Sequence, residues 1–305
     1  IKHVLVSILA IFVSSACATI QLGPSLGPLE ETVLEGKGPG KILLIDIQGI
    51  INNQKDHAIT GATTALGMVE SIREIIAKAD KDENIKALLI KINSPGGTVT
   101  ASDIILHELL LYKKKHVIPI YVQVMDLAAS GGYYIACQAD TIIAHPATIT
   151  GSIGVIGIRL NISKLLNKIG IRSDIIKNGE HSDFADGSRL VSDDERKRIQ
   201  ASINNMYEKF KDKVIAGRDN MPEDANLDDV ALGRIFTGQR AKDGISIPLV
   251  DVTGTFHDAI ELTKAAAGLE GEEVEIIEYP MPEDKLKKIV KNLTIMRSVD
   301  YKSFF

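Results

Sequence analysis

From Lys41 onward, short apolar runs alternate with stretches of helical periodicity. Ile42-Leu43-Leu44-Ile45-Asp46-Ile47 and residues 85–92 are nearly continuous apolar runs rich in β-branched residues, which suits strands buried on both faces. Between them Leu66, Val69, Ile72, Ile75 and Ile76 recur at helical spacing and predict a helix over 63–79. The alternation continues with a helix over 101–112, a strand over 117–124, a helix over 130–138 and strands at 141–144 and 154–158. A helix over 161–169 and a strand over 171–177 follow. Ser192 and Glu195 have capping-box spacing and open a long helix running to about Arg218. Residues 228–268 add short helices and a strand. Strands alternating with helices predict an α/β fold with a mostly parallel sheet and crossover helices on its faces.

The ends read differently. Lys2, the apolar run from Val4 to Val13 and the small residues Ser14-Ser15-Ala16 before Cys17 follow the grammar of a targeting segment. The apolar run is short for a membrane span, which needs about 20 residues. Ser-Ser-Ala-Cys also resembles a bacterial lipobox, with Ser14 where leucine is usual. Residues 1–20 are therefore expected to be a signal peptide or membrane anchor, with Cys17 a lipidation candidate. That places the rest of the chain against a membrane on its extracytoplasmic side. The Gly/Pro-rich residues 21–40 read as a linker, 41–268 as the folded domain and 269–305 as a C-terminal extension with a mobile tail.

Composition narrows the function. The 305 residues carry a formal net charge of −5, and no dense Lys/Arg stripe appears, so nucleic acid is not an expected partner. Lys113-Lys114-Lys115 reads as a solvated helix end. Two cysteines make no disulfide framework, and Cys137 lies in an apolar stretch as a buried free thiol. No His/Cys/Asp/Glu group has metal-ligand spacing, and neither metal nor cofactor is expected.

Two small-residue turns carry the candidate chemistry, each closing an apolar strand and opening a helix. One is Asn93-Ser94-Pro95-Gly96-Gly97, the other Asp126-Leu127-Ala128-Ala129-Ser130-Gly131-Gly132-Tyr133-Tyr134. The first amides of a helix have no partner inside it and suit a developing oxyanion. Ser130 sets a hydroxyl beside such amides, and the flanking glycines allow close approach. Two ordinary helix-start turns would read the same way.

The second turn resembles the nucleophile motif of the signal peptide peptidase A family of serine proteases, in the Clp/crotonase superfamily. Thr150-Gly151-Ser152-Ile153-Gly154-Val155, the first turn, Thr237-Gly238-Gln239-Arg240-Ala241 and Leu249-Val250-Asp251 resemble further hallmarks in the family's order. The resemblance implies a Clp/crotonase-like fold of repeated β-β-α and βαβ units. It implies Ser130 as nucleophile, with amides of Gly131 and of Gly96 or Gly97 as the oxyanion hole. It also implies a homo-oligomer acting on signal-peptide remnants or other apolar peptides, and a lysine as general base.

At that point the chain departs from the family. Lys177-Asn178-Gly179-Glu180-His181-Ser182-Asp183 matches the base segment with Ser182 in the lysine's place and Lys177 at a non-catalytic lysine. A serine cannot stand in for a neutral amine. Three readings stay open: a catalytically impaired homologue that keeps its peptide groove as a scaffold, an active protease using Lys177 or His181, or a shifted lysine. His181 otherwise reads as a loop residue, His145 as a capping or packing residue, and Asp126 as holding its loop through backbone hydrogen bonds. A Clp-type Ser-His-Asp triad is disfavoured because Val155 stands where its histidine would fall. An acyl-CoA enzyme of the crotonase kind shares the fold, but the targeting segment argues against it.

Overall fold

The computed structural model describes residues 29–57, 63–218 and 226–280. Strands β1 (Thr32–Glu35), β2 (Gly40–Gln48), β3 (Asp56–His57) and β4 (Thr63–Ala65) lead into helix α1 (Met68–Ala79) and strand β5 (Ile85–Ser94). Helix α2 (Val99–His116), strand β6 (Ile120–Ala129), helix α3 (Gly131–Ala136) and strands β7 (Thr141–Ala144) and β8 (Ile149–Gly151) follow. Then come helices α4 (Ser163–Lys168) and α5 (Asp193–Gly217), strand β9 (Ile235–Thr237), helix α6 (Gly238–Asp243), strand β10 (Val252–Thr253), helix α7 (Phe256–Ala266) and strand β11 (Val274–Glu278). The antiparallel β3–β4 pair belongs to a small separate unit.

The main sheet runs β1-β11-β2-β5-β6-β7-β10, with β8 on β6 and β9 on β8. All its pairs are parallel except β1–β11 and β8–β9. The mixed α/β fold with a mostly parallel sheet is as the alternation predicts. Its centre is apolar on both faces: Ile42, Leu43 and Ile45 of β2 and Ala87, Leu88, Leu89 and Ile90 of β5 are fully buried.

β6 divides its pairing. Residues 121–124 run beside β7, and 127–129 run beside β8. Against β5 the register also steps, since Ile92 faces Val124 whereas Ser94 faces Ala128. The extra residues on β6 re-aim its last turn and with it Ser130, as bulges do.

The ends differ from the reading above. β1 lies within the segment expected as linker, and β11 within the expected C-terminal extension, yet β11 pairs in register with central β2. Backbone hydrogen bonds recruit both, although β1 is exposed throughout and shows no apolar pattern. Residues 1–28, including Cys17, and the tail 281–305 lie outside the described residues. Among the described residues no helix is long and apolar enough to cross a membrane.

The strands expected at 154–158 and 171–177 are absent, and 152–162 and 171–177 have no regular structure. Among the described residues no strand pairs with them, and their side chains are outside the core: Ile156 and Ile158 are each 82% exposed and Ile176 is 96% exposed. Only the helix α4 between them forms, shorter than expected. The helix expected over 63–79 begins at Met68.

α5 starts with the capping box of Ser192 and Glu195. It ends at Arg218, 5% exposed, which is paired in bidentate fashion with Asp251 (Nη1–Oδ2 2.9 Å). Asp251 Oδ2 also accepts the Ile142 N–H at 2.8 Å, so one carboxylate joins the helix end to β7. Asp251→Ala leaves a buried guanidinium without its counter-charge, and urea unfolding is expected to show a loss of about 3–5 kcal/mol.

Candidate active site

The two turns foreseen from the sequence meet. Ser130 ends β6 with φ 52° and ψ −119°, a left-handed φ that a serine adopts only where its surroundings impose it. Its N–H donates to Gly151 C=O at 3.0 Å, which seats it on β8, and its C=O accepts from Tyr134 N–H at 2.8 Å. It precedes α3 without capping it, so its hydroxyl is not spent on the helix. α3 is wholly buried, which fixes the turn from behind.

The first turn lies against it. A Cβ placed on Gly96 (φ +98°) would stand 2.6 Å from Gly131 N and 2.9 Å from Ser130 Cβ, so only glycine fits. A Cβ on Gly131 would stand 3.1 Å from Gly97 N and 2.4 Å from Ser102 Oγ. Among the described residues the N–H groups of Gly97 and Gly131 have no hydrogen-bond partner, whereas Gly96 N–H donates to Ser94 Oγ at 3.0 Å. Of the two glycines left open by sequence, Gly97 therefore has the free donor.

A small slot of about 20 Å³ opens beside Ser130, lined by Gly97, Val99, Tyr134, Val155, Met206 and Phe210 among others. Sequence reading did not reach Met206 and Phe210, because they come from the middle of α5, some 75 residues downstream of Ser130. Their helical spacing was visible; what they pack against was not. Phe210 lies 4.9 Å from the Tyr134 ring, whose hydroxyl donates to Asp103 at 2.6 Å. A larger cavity, about 740 Å³, lies elsewhere, between residues 157–164 and the first turns of α5.

The segment matching the family's base does not line the Ser130 slot. Ser182 is exposed, and its N–H donates to Gly179 C=O at 3.2 Å. Lys177 Nζ is held by Asp183 and by Glu180 C=O, each at 2.6 Å. Arg189 joins Asp183 (2.6 Å) to Glu195 (2.9 Å) at the start of α5. His181 Nε2 lies 3.8 Å from Asp194. Glu195, which this segment reaches through Arg189, and Met206, which lines the slot, lie about 16 Å apart along α5 at 1.5 Å per residue.

Arg189, and after it the Ser192 N–H, holds the Glu195 carboxyl at about 2, against 4.5 when free. Arg189 and then Lys177 hold Asp183 well below the usual carboxylate range. Since the folded values are depressed, this network contributes fully above the free carboxylate values and is lost as pH falls toward 2. Arg189→Gln is expected to flatten the acid limb of stability below pH 4.5, checked by urea unfolding across that range.

The remaining candidates have structural places. Asp126 accepts from the Asn93 side chain at 3.2 Å, tying the two turns through side chains rather than the backbone bonds expected. His145 Nδ1 takes the Ala147 N–H at 3.2 Å, a turn cap as foreseen. Cys137 is a buried free thiol pushed up to about 12 by burial, then modulated by Arg218 and Lys213. Lys113 and Lys115 end α2 in ion pairs with Asp140 and Asp80. No metal-binding group of His, Cys, Asp or Glu occurs among the described residues.

A mostly parallel sheet that ends one central strand on a serine at positive φ, beside two unpaired amides, is the architecture of a ClpP/crotonase-like domain. The peptidase family S49 model matches residues 112–270, just over half of the chain. A Synechocystis protein with a provisional protease name is 35% identical over 81% of this chain and 89% of its own length. An Enterococcus faecium protein provisionally named signal peptide peptidase SppA is 35% identical over 82% of this chain and 70% of its own. The chloroplastic serine protease SPPA of Arabidopsis thaliana is 32% identical over 84% of this chain, which spans 37% of that protein. The chain belongs to peptidase family S49, a family of serine peptidases.

Proposed function

We propose that the chain is a membrane-associated serine endopeptidase that cleaves apolar peptides, signal-peptide remnants among them, with Ser130 as nucleophile. The observation that carries this is the convergence of Ser130 with the free N–H groups of Gly97 and Gly131. The serine oxygen adds to the scissile carbonyl, and the two amides receive the negative charge that develops there. The slot bounded by Val99, Val155, Met206 and Phe210 favours a small, apolar side chain next to the cleaved bond. Membrane association rests on residues 1–20.

The base is the unfilled role. Lys177 Nζ is engaged with Asp183 and does not line the Ser130 slot. Since the 177–183 segment does not line the slot of its own chain, a base from that segment is supplied to Ser130 by a neighbouring copy. The apolar surface of residues 156–176 supports a homo-oligomer, since an exposed apolar patch marks a surface awaiting a partner. A second reading has its own observation: with Ser182 in the lysine's place and Lys177 engaged, the chain binds peptide without cleaving it.

The test is hydrolysis of a fluorogenic signal-peptide-like substrate by the detergent-purified full chain, beside Ser130→Ala and Ser182→Lys. Cleavage by the unaltered chain that vanishes in Ser130→Ala supports the endopeptidase. Binding without cleavage, with turnover appearing in Ser182→Lys, supports the scaffold.

A further inference from the structure

The turn 94–98 has a partner for all but one of its backbone donors. Ser94 N–H lies in the β5 ladder, Pro95 has none, Gly96 donates to Ser94 Oγ and Thr98 donates to Ile51 C=O at 2.8 Å. Gly97 alone is left over. What enforces that distribution is the Ser94 side chain, fully buried at the end of β5. Its hydroxyl accepts from Gly96 at 3.0 Å and donates to Gly49 C=O at 2.6 Å, beyond the end of β2. Ile51 N–H in turn donates to Gly96 C=O at 2.9 Å. One hydroxyl thus pins the turn to the neighbouring strand's loop and occupies Gly96 N–H, which leaves Gly97 N–H without a partner beside Gly131.

We propose that Ser94 is a positioning residue of the active site, whose buried hydroxyl fixes Gly97 N–H as an oxyanion donor by occupying Gly96 N–H. This rests on the reading of Ser130 as nucleophile. Without the hydroxyl, Gly96 N–H and Gly49 C=O lose their partner together, and the turn rotates to satisfy them. Neither Gly96 nor Gly49 lines the slot beside Ser130, so the cost falls on tetrahedral, oxyanion-bearing states and not on ground-state peptide binding. Removing one oxyanion donor outright costs about 10²–10³ in rate, and a misaimed donor costs less.

The test needs no turnover. A peptide boronic acid adds the Ser130 oxygen to its trigonal boron: an O–B bond forms, the hydroxyl proton passes to solvent, and a boron hydroxyl occupies the oxyanion position. Its affinity for the full chain is compared with that of the same peptide as a carboxamide, in unaltered, Ser94→Ala, Ser94→Thr and Ser130→Ala proteins. Ser94→Ala is expected to weaken the boronate by about 10- to 100-fold while leaving the carboxamide within about twofold, and Ser94→Thr to recover most of the loss. Equal loss of both ligands would make Ser94 merely structural, and boronate binding by Ser94→Ala as tight as in the unaltered chain would also overturn the proposal. If Ser130→Ala retains boronate affinity, the nucleophile reading itself fails, and this inference with it.

Discussion

Ser182→Lys is expected to raise peptide hydrolysis by about 10²–10⁴-fold, the range that a positioned general base contributes. The gain requires an amine that is neutral near physiological pH; Ser182 is exposed in the single chain, so the burial that penalises the charged form has to come from a neighbouring copy. Activity of the variant should therefore rise with pH through a lysine value below the ordinary one. It should also fall when the assembly is diluted apart, since the 177–183 segment does not line the slot of its own chain. Initial rates across pH, at two protein concentrations, check both points. A Ser182→Lys protein that stays assembled and folded but gains nothing at any pH would sink the assignment of position 182 to the base.

Ser130→Ala in the same background is expected to remove at least about 10³-fold of that activity, because the oxyanion donors alone leave only a small remainder. The substitution removes one oxygen and leaves the backbone bonds of residue 130 to Gly151 and Tyr134 intact. Thermal stability should change little, and carboxamide peptide affinity should hold. If hydrolysis survives Ser130→Ala, the observed turnover belongs to another group or another protein.

Sequence made the central architecture plain where one residue type dominates a run. Ile42–Ile45 and Ala87–Ile90 are buried on both faces, and their apolar continuity says so without tertiary information. The Ser130 turn was legible as a motif, and the resemblance supplied its role. Three things were hidden for three physical reasons. β1 is held by hydrogen bonds to β11 with exposed side chains, so no hydrophobic pattern marks it. The runs around Ile156 and Ile176 carry the composition of buried strands, and composition does not tell whether the burying surface is in the same chain. Met206, Phe210 and the role of Ser94 depend on contacts between distant segments or on which of two adjacent amides is consumed, and neither leaves a periodic trace.

The sheet ends, at both sides, in very short strands: four residues in β1 and two in β10. Such brief edges give a stray chain few backbone groups to pair with, and fibril-like stacking has little to start from. The danger for newly made protein therefore lies away from the sheet, on the uncovered isoleucines of residues 156–176. Yield during synthesis is then set by how quickly that surface is covered, and dilute, unassembled chains are the ones that holdase chaperones would need to shield.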